Sequence, residues 1–387
     1  MPMPQRATKR GVQRTSLSGD YDVLICGASF AGLAVARELA GATRADGSPA
    51  RVLMLDRYQI GERQTSACGI PTAWLEALDL MGSHRQTFDE LLVHTPRSAT
   101  RWRLPWTLST FDYPELCHLL AEQSDCDFET AKVQGRTGHT VHTDRGDVSA
   151  PLVVDALGWR RILAGDDGFQ PPDAPLSRGL EVHPGGSGED LAIWIDRSIV
   201  PAGYGWSFPA RDELRIGVGS FDPRFHVKDN TVKLAEDLGT EAIGYQGNWI
   251  PHKLRPAVED EVFFAGDSAG HCLPLTAEGI RTAFYFGIAC GRELRAVVAE
   301  EQTREEALHR YGSFSASHEW KFRWMLRAQQ WVPRLAPRAL DAMIRTQKVQ
   351  RVVDWTFGQY LRIAPPEYAG PAPPRRMQRS PSAAAAG

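Results

Sequence analysis

An α/β fold is predicted by three stretches of this sequence. It consists of a Rossmann-like dinucleotide-binding domain, an inserted antiparallel β-sheet domain and C-terminal helices. The first stretch, YDVLICGASFAGLAVARELA from Tyr21 to Ala40, runs from an apolar segment through a small-residue turn into apolar residues at helical spacing (Leu33, Ala36, Leu39). The second, LMLDR at 53–57, is another apolar run and ends in an acid, Asp56. The third, 191–219, alternates apolar and polar side chains as half-buried antiparallel strands do.

Each part of the first unit has a physical task. Gly27 permits a tight turn, and Gly32 lets the helix pack close to the strand. The free amides and positive dipole end of the helix suit a pyrophosphate. Asp56 is placed to accept hydrogen bonds from a ribose diol. Ser29 stands where the fingerprint has its second glycine, and its hydroxyl is a candidate phosphate donor. The turn Gly27, Ala28, Ser29, Phe30, Ala31, Gly32 and Asp56 are therefore the candidate nucleotide contacts. A plain strand-to-helix turn is the simpler reading; the strand–turn–helix–strand–acid order favours a dinucleotide.

The remaining elements follow in order. A loop and helix occupy 61–82, a strand pair 91–105 and a helix 113–123. Short β runs are expected at Ala131–Val133 and Val141–Thr143, with Arg145-Gly146-Asp147 as a turn. Leu152–Asp155 reads as a buried strand, and the Pro-rich stretch 170–180 as a boundary. Val262–Asp267 reads as a buried strand ending in an acid, followed by a turn and a long helix; 301–363 is helical by period. The nucleotide domain is thus discontinuous (20–90, 111–168 and 255–300), with a β-rich substrate domain from 91–110 and 169–254. Residues 1–19 and 364–387 are expected to be a disordered leader and tail.

With 387 residues and 42% hydrophobic content, the chain can build two domains or one composite. A net charge of −3 gives no field that would draw nucleic acid. The six cysteines form no CxxC pair and no zinc-ligand spacing, which argues against a metal site and for a reducing, cytoplasmic location. No apolar run is long enough to span a membrane. Between 320 and 362, nine basic residues face two acidic ones, with Trp320, Trp324, Trp331 and Trp355 interleaved. That region is a candidate for peripheral contact with anionic lipid, against the simpler reading of a solvated face with tryptophans packed on the core.

Three further motifs carry a resemblance: Ala67-Cys68-Gly69-Ile70; the run from Gly203 to Pro209 (GYGWSFP) with Arg215–Gly219 (RIGVG); and Gly266-Asp267-Ser268-Ala269-Gly270 with Pro274, Leu275, Thr276, Glu278, Gly279 and Ile280. Together with the first turn and Asp56, they make residues 21–300 similar to the aromatic-hydroxylase-like flavoproteins. More closely, this region resembles the geranylgeranyl reductase family. The resemblance implies an FAD-binding domain of the glutathione-reductase type and FAD as cofactor. It adds Arg57, Cys68, Gly69 and Val133 to the cofactor contacts. It also puts Asp267 at a ribityl hydroxyl, and Pro274, Glu278, Gly279 and Ile280 beside the ring, where helix amides favour the anionic reduced form. The chain departs from the family where Cys68-Gly69 runs directly into Ile70-Pro71 without further glycines, and where Asp155-Ala156-Leu157-Gly158 replaces the usual ADG.

The activity so implied is an FAD-dependent oxidoreductase that reduces or oxidises a carbon–carbon bond of an apolar, isoprenoid or natural-product substrate. Cys68 is a candidate proton donor, with packing of a crowded turn as the alternative. Tyr204 and Trp206 are candidate catalytic residues, forming with Phe208 an aromatic wall on one strand face, with core packing alone as the alternative. His271 reads as structural. An FAD-dependent monooxygenase is the alternative, as a hydroxylase before a halogenase. No second glycine-rich fingerprint is present, so NAD(P)H or another reductant is expected to act transiently.

Overall fold

The computed structural model describes residues 15–64, 66–165, 176–346 and 349–374. The centre is a six-stranded sheet in the order Val258–Glu259, Val262–Phe264, Leu152–Asp155, Val23–Cys26, Val52–Asp56, Asp127–Thr130. All neighbours are parallel except the first pair. Val23–Cys26 is buried at every position, which is why it reads as an unbroken apolar run: a strand covered on both faces has no polar side to alternate with. The helices Phe30–Glu38 and Ile280–Val298 pack on each other through glycine. A Cβ on Gly287 would fall 2.7 Å from the Ala31 carbonyl oxygen, and one on Gly291 2.8 Å from that of Val35.

An eight-stranded sheet forms the second layer, in the order Gln246–Pro251, Leu176–Val182, Glu213–Ser220, Gly203–Ala210, Ala192–Trp194, His84–His94, Ala99–Phe111, Gly69–Pro71. It is not wholly antiparallel as expected: Ala192–Trp194 pairs parallel with His84–His94. A long excursion of chain separates these two strands, so no hairpin fixes their direction. A four-stranded sheet completes the fold, with Gly19–Asp20 lying parallel to Gly146–Ser149.

Three expectations need correction or restriction. The leader is tied down from Thr15: Leu17 is buried and its amide donates to the Arg145 carbonyl at 2.8 Å, while the Arg145 guanidinium reaches the Thr15 hydroxyl. The tail is docked through residue 370, because side-chain donors cap its carbonyls: Arg292 donates to Tyr368 and Ala369, the buried Arg37 to Gly370, and the Trp74 indole to Ala364. Residues 1–14 and 375–387 lie outside the described residues, as does 166–175 of the Pro-rich boundary; Leu176–Val182 is a strand.

After Arg304–Ala316, three helices (Glu319–Trp331, Pro337–Thr346 and Gln350–Leu361) roof the large sheet. Indoles from the strand Ala99–Phe111 hold them from below, Trp102 donating to the Ile344 carbonyl and Trp106 to that of Phe357. Above, Trp320, Trp324, Trp331 and Trp355 are 55–69% exposed, so they do not pack on the core. Among the described residues no helix is long and apolar enough to cross a membrane.

Candidate active site

A single cavity of about 750 Å³ runs from the first glycine turn to the roof. At its polar end Gly27 adopts φ 113°, and a Cβ there would meet the Ala156 carbonyl oxygen at 2.2 Å. A Cβ on Gly32 would lie 1.8 Å from the Gly27 carbonyl oxygen. Neither glycine lines the cavity; their part is to bring Ala28, Ser29, Phe30 and Ala31 into its wall. The amides of the first helical turn have no intrahelical acceptor and are free for an anion. Asp56 accepts from the amides of Ala28 (2.9 Å) and Tyr58 (3.0 Å), clamping both lips of the opening. Burial pushes its carboxyl above the usual range, partly offset by those two amides. The Ser29 hydroxyl sits 3.2 Å from that of Tyr113 instead of capping its helix. Arg57 and Val133 also line this end.

Gly266 and Asp267 form the next part of the wall. Gly266, at φ 64°, packs against Ala31, which joins the two turns into one surface. No hydrogen bond satisfies the Asp267 carboxylate among the described residues, and burial alone pushes it up to about 6. The turn that follows is closed by the Leu273 amide donating to the Glu278 carbonyl, with Leu275 and Ala277 at positive φ. Glu278, Gly279 and Ile280 face the cavity; Pro274 is buried behind them. The Glu278 carboxylate is engaged by Arg281 at 2.5 Å and by the Tyr360 hydroxyl. Arg281 is fully buried and also donates to the carbonyls of Tyr360, Leu361 and Ala364. It thereby ties the turn to the end of the last helix.

The apolar end has an aromatic wall. Tyr204 and Trp206 both line it, ring centroids 5.9 Å apart, with the Tyr204 hydroxyl donating to the Thr276 carbonyl. The Trp206 indole lies on a floor of glycine backbone: a Cβ on Gly217 would come within 2.2 Å of the ring, on Gly219 within 3.4 Å and on Gly179 within 3.7 Å. Leu340, Ile344 and Phe357 close the cavity from the roof.

Cys68 departs from the expectation of a thiol facing substrate. Gly69 and Ala67 line the cavity, but Cys68 does not. Its φ of 55° turns the side chain into the protein, where the thiol is fully buried and donates to the Ser66 carbonyl at 3.2 Å. Burial raises it well above the ordinary thiol range, which makes it a poor acid at neutral pH. His271 is buried and neutral, stacked on Phe286 and bonded to Ser315, as a structural histidine would be. Asp155 is also structural, accepting from Leu157, Leu163 and Ser268. Sequence reasoning missed Glu181 and Tyr360, both in the wall. For Glu181 the available signal was an acid within a strand whose neighbours face a core.

No family model matches the chain. The chain is similar to digeranylgeranylglycerophospholipid reductase 3 of Methanosphaera stadtmanae, 24% identical over 338 residues, covering 77% of this chain and 83% of that enzyme. Among solved structures, a geranylgeranyl bacteriochlorophyll reductase-like protein from Thermoplasma acidophilum shares the fold with a TM-score of 0.76 at 17% identity, over 91% of this chain and 98% of that one. A probable FAD-dependent monooxygenase from Pseudomonas aeruginosa gives a TM-score of 0.57 at 19% identity, over 81% and 98%. The fold is shared with both of these solved structures, and the sequence likeness is to a protein named as a digeranylgeranylglycerophospholipid reductase.

Proposed function

We propose that this protein is an FAD-dependent reductase of a carbon–carbon double bond in an extended apolar, isoprenoid-like substrate. The observation that carries the reading is the continuous cavity, whose polar end is built of two glycine turns and whose other end is walled by aromatic and aliphatic side chains. The polar end fits FAD on its own chemistry. The free amides of the first turn of the helix Phe30–Glu38 suit the pyrophosphate, and Asp56 has lone pairs left for a ribose. The unpartnered carboxylate of Asp267 suits a polyol hydroxyl.

When bound, FAD supplies hydride chemistry through its ring. The chain's own residues do the rest. The turn Leu275–Ile280, which lines the cavity at the start of a helix, would present that helix's N-terminal end to the ring and favour its negative reduced form. Tyr204, Trp206 and the roof residues hold an alkene against the ring and exclude water. Glu278, neutralised by Arg281, fixes the turn and adds no free charge. NAD(P)H or another reductant, docking transiently, would renew the reduced state. The exposed tryptophans and arginines of 320–362 would rest on anionic lipid and bring the roof to a membrane-dissolved substrate.

Anaerobic photoreduction of the purified protein, followed by geranylgeranyl diphosphate, tests the reading. The expected result is reoxidation of the flavin with the alkene saturated. Reoxidation by oxygen alone, with a hydroxylated product, would replace it with monooxygenation.

The polar end also gives a pH expectation. The folded-state value of about 6 for Asp267 lies above its ordinary 3.8, so the folded protein binds the extra proton and this group's contribution falls as pH rises from about 4 to about 6. Asp267→Asn should therefore stabilise the apoprotein at pH 7 by about 2–3 kcal/mol relative to wild type, and not at pH 4. It should also weaken FAD binding, having lost the acceptor. Urea unfolding at the two pH values and a flavin titration check both halves.

A further inference from the structure

A row of charged side chains leaves the cavity beneath the aromatic wall, and nothing in the scheme above uses it. Glu181, on the strand Leu176–Val182, lines the cavity and is only 4% exposed. Its Oε2 accepts from the Trp206 indole at 3.3 Å, and its Oε1 lies 3.0 Å from His183 Nε2. On the other side of the imidazole, His183 Nδ1 is 3.3 Å from Glu213 Oε1. Glu213 is 37% exposed and so reaches water. Arg215 completes the row, donating to Glu213 at 2.7 Å and to the Ala67 carbonyl at 3.2 Å. The row is thus fastened to the loop that carries Cys68 and Gly69.

Strand pairing explains the alignment. Glu181 pairs with Gly217, which pairs with Trp206. With Val182 opposite Ile216, His183 falls beside Arg215, and Glu213 and Arg215 are on the same face as Gly217. The groups facing His183 are Glu181 from its own strand and Glu213 with Arg215 from the next. The loop at Ile243–Gly244 packs on its backbone, the Ile243 carbonyl accepting its amide. Held between two carboxylates, His183 is pushed up to about 9 against the opposing effect of burial, and Glu213 is lowered to about 2 by His183 and Arg215. The imidazole is therefore charged at neutral pH and has a proton to give.

We propose that Glu181, His183 and Glu213 form a proton relay from solvent to the cavity, with Glu181 as the catalytic acid of the reduction. The proposal rests on the reductase reading. Saturating an alkene needs two electrons as a hydride, supplied by reduced flavin, at one carbon and a proton at the other. At rest the proton sits on His183 between two carboxylates; it passes from His183 Nε2 to Glu181 Oε1, and the Glu181 O–H bond so formed breaks as the new C–H bond forms from the π pair. The neutral imidazole left behind is recharged by a water proton drawn to the ionised Glu213 carboxylate. Cys68, whose thiol points away, has no part in the transfer; Arg215 is a positioning residue that keeps Glu213 ionised and aimed at the imidazole.

Two measurements test this on the intact holoprotein. The first does not depend on turnover: ¹⁵N NMR of labelled histidines should show His183 titrating near 9 and falling by at least about one unit in Glu181→Gln and in Glu213→Gln. His183 titrating in the ordinary range, or unmoved by both variants, overturns the relay. The second is anaerobic reoxidation of pre-reduced protein by geranylgeranyl diphosphate. Glu181→Gln should slow it roughly 10²-fold or more, with FAD content and reoxidation by oxygen unchanged. The wild-type rate should fall above pH 9, and His183→Gln should lack that limb. Equal rates in wild type and Glu181→Gln overturn the proposal while sparing the reductase reading. If wild type is itself not reoxidised by the alkene although the NMR coupling holds, the reductase reading fails, and the alkene fails with it as the relay's acceptor.

Discussion

Replacing Gly32 with valine should yield a colourless protein. The Cβ alone would sit 1.8 Å from the Gly27 carbonyl oxygen, a backbone atom that cannot turn aside. Relief requires the helix Phe30–Glu38 to move off its strand, yet that helix is pinned from behind where Gly287 and Gly291 bring Ile280–Val298 onto it. Overpacking a tight core costs about 1–3 kcal/mol and more where backbone must shift, so a loss of at least about 3 kcal/mol is expected. The functional loss should be larger. Displacing the helix moves the free amides of its first turn out of the cavity wall and breaks the Ala28 bond to Asp56. Flavin absorbance per polypeptide, measured after gel filtration, should drop to background. Retention of stoichiometric FAD by the valine variant would exclude this turn as the dinucleotide site.

Arg281→Met should be the most destabilising change on the other side of the cavity. The guanidinium is wholly buried and satisfies one carboxylate and three backbone carbonyls. Methionine fills similar volume and satisfies none of them. Breaking a buried ion pair by removing one partner costs about 3–5 kcal/mol, because the other charge stays behind. Glu278 would keep only the Tyr360 hydroxyl. Arg281→Lys should recover less than half of the loss, since one ammonium cannot reach acceptors arranged around a planar fork. Urea unfolding of the three proteins checks the order, and an Arg281→Met variant within 1 kcal/mol of wild type would contradict it.

The parts of the site that depend on local chain geometry were legible in the sequence. Gly27, Gly32, Asp56 and the Gly266-Asp267 turn each announce themselves within a few residues, because a tight turn or a strand-terminal acid is a local event. The helical roof was legible by period, and the strand pair at 91–105 was found short of its true limits, His84–His94 and Ala99–Phe111. What escaped depends on pairings across the chain. Trp74 bonds to Ala364, 290 positions away, and so the tail was read as loose. The resemblance of Cys68-Gly69 to the reductases' cysteine–glycine turn points the thiol at the cavity; one positive φ decides otherwise, and a cysteine at that position does not advertise it. Glu181 reads as any strand acid until the register sets it beside Trp206 and His183.

The glycine floor under Trp206 has a consequence for how this region can vary. Three positions on two strands are empty of side chain so that one indole can occupy the space: Gly179, Gly217 and Gly219. Position 217 has no freedom while 206 holds a ring, because the atom any other residue would add already has an occupant. Shrinking residue 206 would not free it either, because the Leu180 carbonyl oxygen would still lie 2.8 Å from that atom. Glycine at 217 is therefore held twice over, by a ring and by a neighbouring strand, and only residue 206 is open to exchange. Between relatives, the depth of the cavity at this wall would be set at position 206 alone, over a floor that does not change.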